Sequence, residues 1–158
     1  MTRPKLISLI AATVLADQLS KVAALSLLSQ GTAVPVLPGF NLALGFNEGA
    51  SFGMMGGVMA GKPLLMATLT GALALVFAFM ALRAQHPLER AGFALVVGGA
   101  RGNILDRMRQ GAGTDFLDLY WRDWHWPTFN VADIAITLGA VLILAASLPL
   151  RPPQGAGS

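Results

Sequence analysis

The sequence contains no cysteine and unusually little charge. Without cysteine, the chain can form no disulfide, thiolate metal site or cysteine nucleophile, and it can carry no cysteine-linked lipid. Only 12% of its 158 residues are charged and 54% are hydrophobic, whereas about 25% of a soluble domain is charged. Mean hydropathy is +0.62. Too few polar side chains remain to cover a water-facing surface, which argues against a soluble enzyme.

Motifs for metals and nucleotides are missing as well. The sequence has no HExxH helix and no GxxxxGK[ST] loop. Lysine and arginine number 11 and are scattered, giving a formal net charge of +3, which favours a membrane-orientation signal over a nucleic-acid surface. His86 and His125 are expected on opposite sides of a membrane, which disfavours a histidine metal site or triad. We therefore predict no metal, no cofactor and no nucleic-acid partner.

Four apolar runs predict an α-helical membrane protein with one domain at residues 1–150. Each run can cross about 30 Å of hydrocarbon with help from its flanks. Helices are expected because an open sheet cannot satisfy its backbone polar groups in lipid. The predicted spans are about residues 6–28, 63–83, 88–108 and 130–149. Residues 151–158, rich in proline and glycine, are predicted to be a disordered tail.

Basic residues near the ends of these runs predict the topology. Arg3 and Lys5 precede the first run, and Arg151 follows the last run. Arg83 and Arg90 flank the short connection between the second and third runs. The positive-inside rule then places both termini in the cytoplasm, although four further basic residues fall on the outer side. A cleaved signal peptide is the alternative at the N-terminus, but the apolar run resumes after Lys21, which favours a span.

The two outer connections differ in composition. Residues 31–56 contain glycine and proline turns between short apolar stretches, which predicts short strands that form a small sheet on the outer face. The second connection contains Tyr120, Trp121, Trp124 and Trp126, which is typical of an interfacial aromatic belt.

Seven of the eight acidic residues fall in the outer half of this topology, and Glu89 is the exception. Placing an ionisable side chain in a membrane-spanning helix costs free energy, so such residues usually have a function. Asp17 and Lys21 lie four residues apart and are predicted to pair on one helix face. Asp106 follows the small-residue stretch 98–100, which permits close helix approach. Its carboxylate is expected to bond Arg107 or a neighbouring helix end, and Arg107 either does this or binds a substrate carbonyl or anion.

Asp115 and Asp133 are both expected at the outer interface. Two carboxyl groups that approach closely share one proton, so the ionised group can activate water while the protonated group polarises a carbonyl. The alternatives are a loop cap for Asp115 and a helix N-terminal acid for Asp133. A different class, an ion-conducting protein, needs ionisable groups through the full bilayer depth, but the second apolar run contains none.

The motifs together resemble the bacterial lipoprotein signal peptidase (signal peptidase II) family over nearly the whole chain. Five blocks occur in the order of that family, and the combination is much more specific than any one block. They are Asp17-Gln18-Leu19-Ser20-Lys21, Phe46-Asn47-Glu48-Gly49-Ala50-Ser51-Phe52-Gly53, Gly98-Gly99-Ala100-Arg101-Gly102-Asn103-Ile104-Leu105-Asp106-Arg107, Asp115-Phe116 and Phe129-Asn130-Val131-Ala132-Asp133.

The resemblance implies an aspartyl endopeptidase that cleaves diacylglyceryl-modified prolipoproteins just before the lipidated cysteine. It implies four spanning helices, a β-cradle and a short extracytoplasmic helix, and it places the catalytic pair at Asp115 and Asp133. Cyclic peptides of the globomycin type are the implied inhibitors. The implied supporting residues are Asp17, Lys21, Asn47, Gly49, Asn103, Asp106, Arg107, Asn130 and Ala132. Ser51 and the Ala112-Gly113-Thr114 stretch depart from the family pattern, which predicts a looser wall around the site.

Overall fold

The computed structural model describes residues 1–47 and 62–148, which form four helices and four strands. The predicted Gly49 contact, the end of the β-rich segment and the 151–158 tail lie outside these ranges. The helices are α1 (Arg3–Leu27), α2 (Pro63–Arg83), α3 (Pro87–Gln110) and α4 (Val131–Ser147). The strands are β1 (Ala33–Leu37), β2 (Phe40–Asn47), β3 (Gly113–Trp121) and β4 (Trp124–His125).

Local sequence signals explain where the helices nearest the site begin and end. Pro87 stands in the first turn of α3, where a missing N–H costs nothing. Gly111 ends the same helix with φ +80°, a left-handed conformation that glycine adopts without strain. Asn130 and Asp133 form a reciprocal capping box at the start of α4. These signals place the end of α3 and the start of α4 close to the predicted site residues.

Helix α3 is the centre of the bundle, since α1, α2 and α4 all pack against it. Its glycines allow this contact on two sides. A Cβ at Gly98 would lie 2.7 Å from Cβ of Thr13 on α1, and one at Gly99 would lie 2.8 Å from Cγ1 of Ile136 on α4. The predicted close approach at residues 98–100 is therefore confirmed.

Within the described ranges, two helices are long and apolar enough to cross a membrane by length and composition, Arg3–Leu27 and Leu64–Arg83. Many side chains of α2 are exposed apolar groups, including Leu64, Leu75 and Phe79. Helix α4 is apolar but has 17 residues, and α3 carries several charged side chains. The four spans predicted from the sequence therefore stay a prediction, although all four helices lie where the apolar runs placed them.

The strands form one antiparallel sheet in the order β1-β2-β3-β4. Strands β1 and β2 confirm the β-structure predicted from residue 31 onward. The sequence analysis missed β3 and β4, since it treated their residues only as a loop aspartate and an aromatic belt. Within residues 1–47 and 62–148 the structure has no fifth helix, so the predicted short extracytoplasmic helix stays a prediction.

The sheet brings the loop between α3 and α4 back to the bundle. Strand β3 starts two residues after Gly111, and its backbone bonds Phe129 through Phe116 and Leu117. Asp115 near the start of β3 and Asn130 at the start of α4 thereby become neighbours.

Candidate active site

A buried ion cluster, the lysine cluster, joins α1 to α3. It consists of Asp17, Lys21 and Asp106. The Lys21 ammonium lies 2.9 Å from Oδ2 of Asp17 and 2.7 Å from Oδ2 of Asp106, and it donates to Oδ1 of Asn103 at 3.0 Å. All of these side chains are buried. The predicted Asp17–Lys21 pair is confirmed, and the structure pairs Asp106 with the neighbouring helix.

The carboxylates of the lysine cluster also bind backbone N–H groups of the elements around the site. Asp17 accepts from the N–H of Ala132 at 2.9 Å, which ties the first turn of α4 to α1. Asp106 accepts from the N–H of Thr114 at 3.1 Å, which ties the start of β3 to α3. The cluster therefore fixes the segments that carry Asp115 and Asp133.

Asp115 and Asp133, here called the carboxylate pair, are connected through Asn130. The side-chain amide of Asn130 donates to Oδ1 of Asp115 at 2.7 Å, and its backbone N–H donates to Oδ2 of Asp133 at 3.2 Å. A second route runs through Asn103, whose Nδ2 donates to Oδ1 of Asp133 at 2.9 Å and whose Oδ1 accepts from Asn130 at 3.1 Å. The structure thus gathers both predicted acids on one hydrogen-bond network.

Asp115 lies in an environment that favours its protonated form. It is 3% exposed, and burial together with the charge of Asp133 raises its pKa from 3.8 to about 7. The hydrogen bond from Asn130 and the charges of Lys21 and Arg107 oppose this shift without cancelling it. Asp115 can therefore hold or release a proton near neutral pH, as an acid–base catalyst must.

A cavity of about 600 Å³ lies next to the carboxylate pair. Asp133, Asn47 and Arg107 form its polar part, and Asn47 also donates to Oδ2 of Asp115 at 3.2 Å. Its apolar walls come from α2, α4 and the loop that precedes α4. The residues of these walls are Met66, Leu119, Trp126, Pro127, Thr128, Phe129, Ile134, Ile136, Thr137 and Leu138. A mainly apolar cavity with a few converging polar groups is typical of a ligand site.

Arg107 reaches this cavity from the last turn of α3. One of its terminal nitrogens donates to the backbone oxygen of Asn103 at 3.2 Å. Its Nε is buried and has no hydrogen-bond partner among residues 1–47 and 62–148. A buried donor of this kind is costly unless a ligand accepts from it, which supports the predicted substrate contact over a purely structural role.

The predicted site residues that the structure describes lie in or beside this network, and their functional roles stay predictions. The sequence analysis missed Gln18, whose amide donates to Oδ2 of Asp17 at 3.1 Å and Oδ1 of Asp106 at 3.0 Å. The sequence signal that could have identified Gln18 was its position next to Asp17. In the described part of the chain, no group of three acidic or histidine residues is arranged to hold a metal ion.

The chain is similar to known proteins over most of its length. Residues 9–149 match the family model described as signal peptidase (SPase) II. A lipoprotein signal peptidase of Polynucleobacter necessarius is 42% identical over 135 residues, which cover 85% of this chain and 83% of that protein. One from Burkholderia mallei is 41% identical over 132 residues, covering 83% and 80%.

Two solved structures share the fold. Both are described as bacterial membrane enzymes determined by the in meso method, and each is 25% identical to this chain. One has a TM-score of 0.82 and covers 94% of this chain and 96% of its own, and the other has a TM-score of 0.80 with 91% and 87% covered.

Proposed function

Since the chain belongs to the signal peptidase II family, we propose that it works as an aspartic endopeptidase whose catalytic groups are Asp115 and Asp133. The family membership makes it a hydrolase that removes signal peptides from prolipoproteins. The proposal adds the chemistry, the cleavage position and the orientation in the membrane. The observation that carries it is the bridge from Asn130 to both carboxylates, beside a cavity and with the pKa of Asp115 near 7.

In the proposed reaction the carboxylate pair carries one proton. The ionised carboxylate removes a proton from water as its oxygen attacks the scissile carbonyl carbon, and the protonated carboxyl donates to the carbonyl oxygen. Collapse of the tetrahedral intermediate breaks the C–N bond as the carboxyl group that took the water proton passes it to the leaving amine. The other carboxylate takes back the hydroxyl proton as the carbonyl re-forms, so the pair again carries one proton. The high pKa of Asp115 favours it as the proton donor, whereas Asp133 borders the cavity and is placed to activate water.

The neighbouring amides and Arg107 orient this chemistry. Asn103 and Asn130 donate to the two catalytic carboxylates, so they hold the pair rather than the substrate. Arg107, whose Nε has no hydrogen-bond partner among the described residues, is the proposed donor to a substrate carbonyl. Asn47 borders both Asp115 and the cavity and is proposed to assist. Gly49, which the family pattern implies as a supporting residue, lies outside the described residues.

The substrate proposed for the cavity is a diacylglyceryl-prolipoprotein, cut just before its lipidated cysteine. The cavity has apolar walls on α2 and α4, so a lipid-modified residue can enter from the bilayer while its acyl chains stay among lipids. Binding of those chains away from the scissile bond supplies energy that positions the bond. Cyclic peptides of the globomycin type are proposed to occupy the same cavity as inhibitors.

The proposed setting is the bacterial inner membrane. The four helices span it, both termini lie in the cytoplasm and the carboxylate pair faces the outer surface. Two of the helices meet the length and composition expected of a span, and the basic residues near the helix ends support the orientation. All ionised groups of the lysine cluster lie toward the helix ends that join the sheet, which fits a catalytic end better than an ion path.

The test measures cleavage of a synthetic lipidated prolipoprotein by the full-length protein in lipid vesicles. Asp115→Asn and Asp133→Asn keep side-chain size but lose acid–base capacity, so each is expected to lower kcat by about 10²–10⁴. Asp123→Asn, in the exposed turn between β3 and β4, is the matched control and is expected to cleave normally. Wild-type rates for both pair variants would end the proposal. If the wild-type protein cleaved the unlipidated peptide as fast as the lipidated one, the proposed substrate would be wrong.

A further inference from the structure

One buried carboxylate has no part in the proposed reaction. Asp118 lies on β3, is 3% exposed and pairs in the sheet with Asn41 of β2. Asn41 donates to its Oδ2 at 3.0 Å, and Nδ1 of His125 on β4 lies 2.8 Å from its Oδ1. Burying a carboxylate costs free energy unless hydrogen-bond partners compensate. We therefore expect these bonds to Asp118 to have a role in the connection between α3 and α4.

His125 leads directly into the wall of the cavity. Residues 126–129, here called the wall segment, all border the cavity. The segment is held along β3 at both ends: the N–H of Trp126 donates to the oxygen of Leu119 at 2.8 Å, and Phe129 exchanges backbone bonds with Leu117. The next residue is Asn130, which holds Asp115.

The hairpin that carries His125 needs a side-chain anchor. Strand β4 has two residues, and the preceding turn contains Arg122 at φ +56°, an uncommon conformation for a non-glycine residue. The ring of His125 stacks on Tyr120 at 5.4 Å, while Trp121 and Trp124 project as exposed side chains. The bond to Asp118 therefore attaches a short, exposed hairpin to a buried part of the sheet.

We propose that the His125–Asp118 hydrogen bond is a positioning device that holds the wall segment against β3 and so sets how tightly the cavity binds its substrate. It acts on binding and not on bond cleavage, because Asn130, which follows the segment, is itself fixed by the capping box of α4 and by its bond to Asn103. The inference rests on the proposed function of the cavity.

The first test compares two variants of His125 in the full-length protein in lipid vesicles, with the lipidated substrate. His125→Asn can place an amide nitrogen near the position of Nδ1 and keep the bond to Asp118, whereas His125→Leu cannot. His125→Leu is expected to raise KM about fivefold, the size expected for one lost hydrogen bond, with kcat within about twofold. His125→Asn is expected to stay near the wild-type KM. An equal rise in KM for both variants, or a fall in kcat at unchanged KM, would overturn the proposal.

The second test reports on the wall segment without any substrate. The chain has three tryptophans, so Trp121→Phe and Trp124→Phe leave Trp126 as the sole one. Adding His125→Leu to this background is expected to raise acrylamide quenching of Trp126 about twofold, because the segment is freed. Unchanged quenching would overturn the proposal, whether or not the catalytic assignment holds. A wild-type protein that cleaves no substrate would overturn the catalytic assignment alone.

Discussion

The lysine cluster and the carboxylate pair are two groups of acids in one hydrogen-bond network, yet their surroundings differ. Asp17 and Asp106 share the ammonium of Lys21 and accept hydrogen bonds from backbone N–H groups. Asp115 and Asp133 instead share the neutral side chain and backbone of Asn130. The two acids of the first group share one cation, whereas the second group contains an acid whose pKa is near 7.

The difference teaches how one small bundle separates stability from chemistry. A lysine placed directly between Asp115 and Asp133 would favour both ionised forms and remove the shared proton. Asparagine donates hydrogen bonds without that charge, so it holds the geometry while leaving the pKa high. The lysine cluster supplies rigidity through its hydrogen bonds to the backbone N–H groups of Ala132 and Thr114, the residues that precede the two acids.

Removing the cation of the lysine cluster is expected to give the largest effect on folding. Lys21→Met leaves the carboxylates of Asp17 and Asp106 buried without a cation, which is expected to cost about 3–5 kcal/mol of unfolding free energy. Thermal unfolding of the detergent-solubilised protein measures this loss. The double variant Lys21→Met/Asp106→Asn removes one orphaned charge and is expected to regain part of the stability. A melting temperature unchanged by Lys21→Met would show that the cluster is not structural.

A smaller but clear loss is expected where α3 meets the cluster. A Cβ at Gly102 would lie 2.9 Å from Cγ of Asp17, so Gly102→Ala is expected to cost about 1–3 kcal/mol, as overpacking does. Gly71→Ala on α2 is the matched control, since its Cβ would meet Cδ1 of Ile104 at an ordinary 3.9 Å. That control is expected to melt at or slightly above the wild-type temperature. Equal melting temperatures for both variants would contradict this account.

Much of this arrangement could be predicted from the sequence. Apolar runs located all four helices, because a span must be continuous to cover the hydrocarbon. The i, i+4 spacing predicted the Asp17–Lys21 pair, since such spacing places both side chains on one helix face. The placement of the acids made Asp115 and Asp133 candidates for a carboxylate dyad, beside the alternatives of a loop cap and a helix N-terminal acid, and their catalytic role stays a prediction.

Other features depend on distant contacts that no local pattern encodes. Lys21 reaches Asp106 across 85 positions of the chain, and Asp118 meets Asn41 through sheet pairing. Strand β3 was missed because its interrupted alternation of polar and apolar residues, with two aspartates, does not look like a strand. Its structure depends on pairing with β2, and this pairing also creates the buried site for Asp118.

The pH dependence of cleavage tests the carboxylate pair directly. With the pKa of Asp115 near 7, the form that carries one proton is lost as the pH rises above about 7. We expect kcat/KM to fall about tenfold per pH unit beyond that point. A substrate without titratable groups near the scissile bond, assayed in vesicles from pH 5 to 9, measures the profile. Activity that stays constant to pH 9 would show that no proton on the pair is needed.

The smallest expected effect is the stability of Asp115→Asn. Because the pKa of Asp115 is higher in the folded state than its ordinary 3.8, the folded protein binds the proton more tightly, and stability falls as pH rises from about 4 to about 7. Asparagine avoids this penalty. We therefore expect the variant to melt within a few degrees of wild type and to compare better at pH 8 than at pH 5.

Asp17→Asn provides the contrast for that measurement. It loses the negative charge that faces Lys21 inside the bundle, so it is expected to melt well below wild type at pH 8. If Asp115→Asn lost as much stability as Asp17→Asn, Asp115 would be a structural acid like those of the lysine cluster. A small loss in Asp115→Asn together with inactivity would separate the two groups of acids, because a residue whose removal spares the fold but ends cleavage is kept for its chemistry.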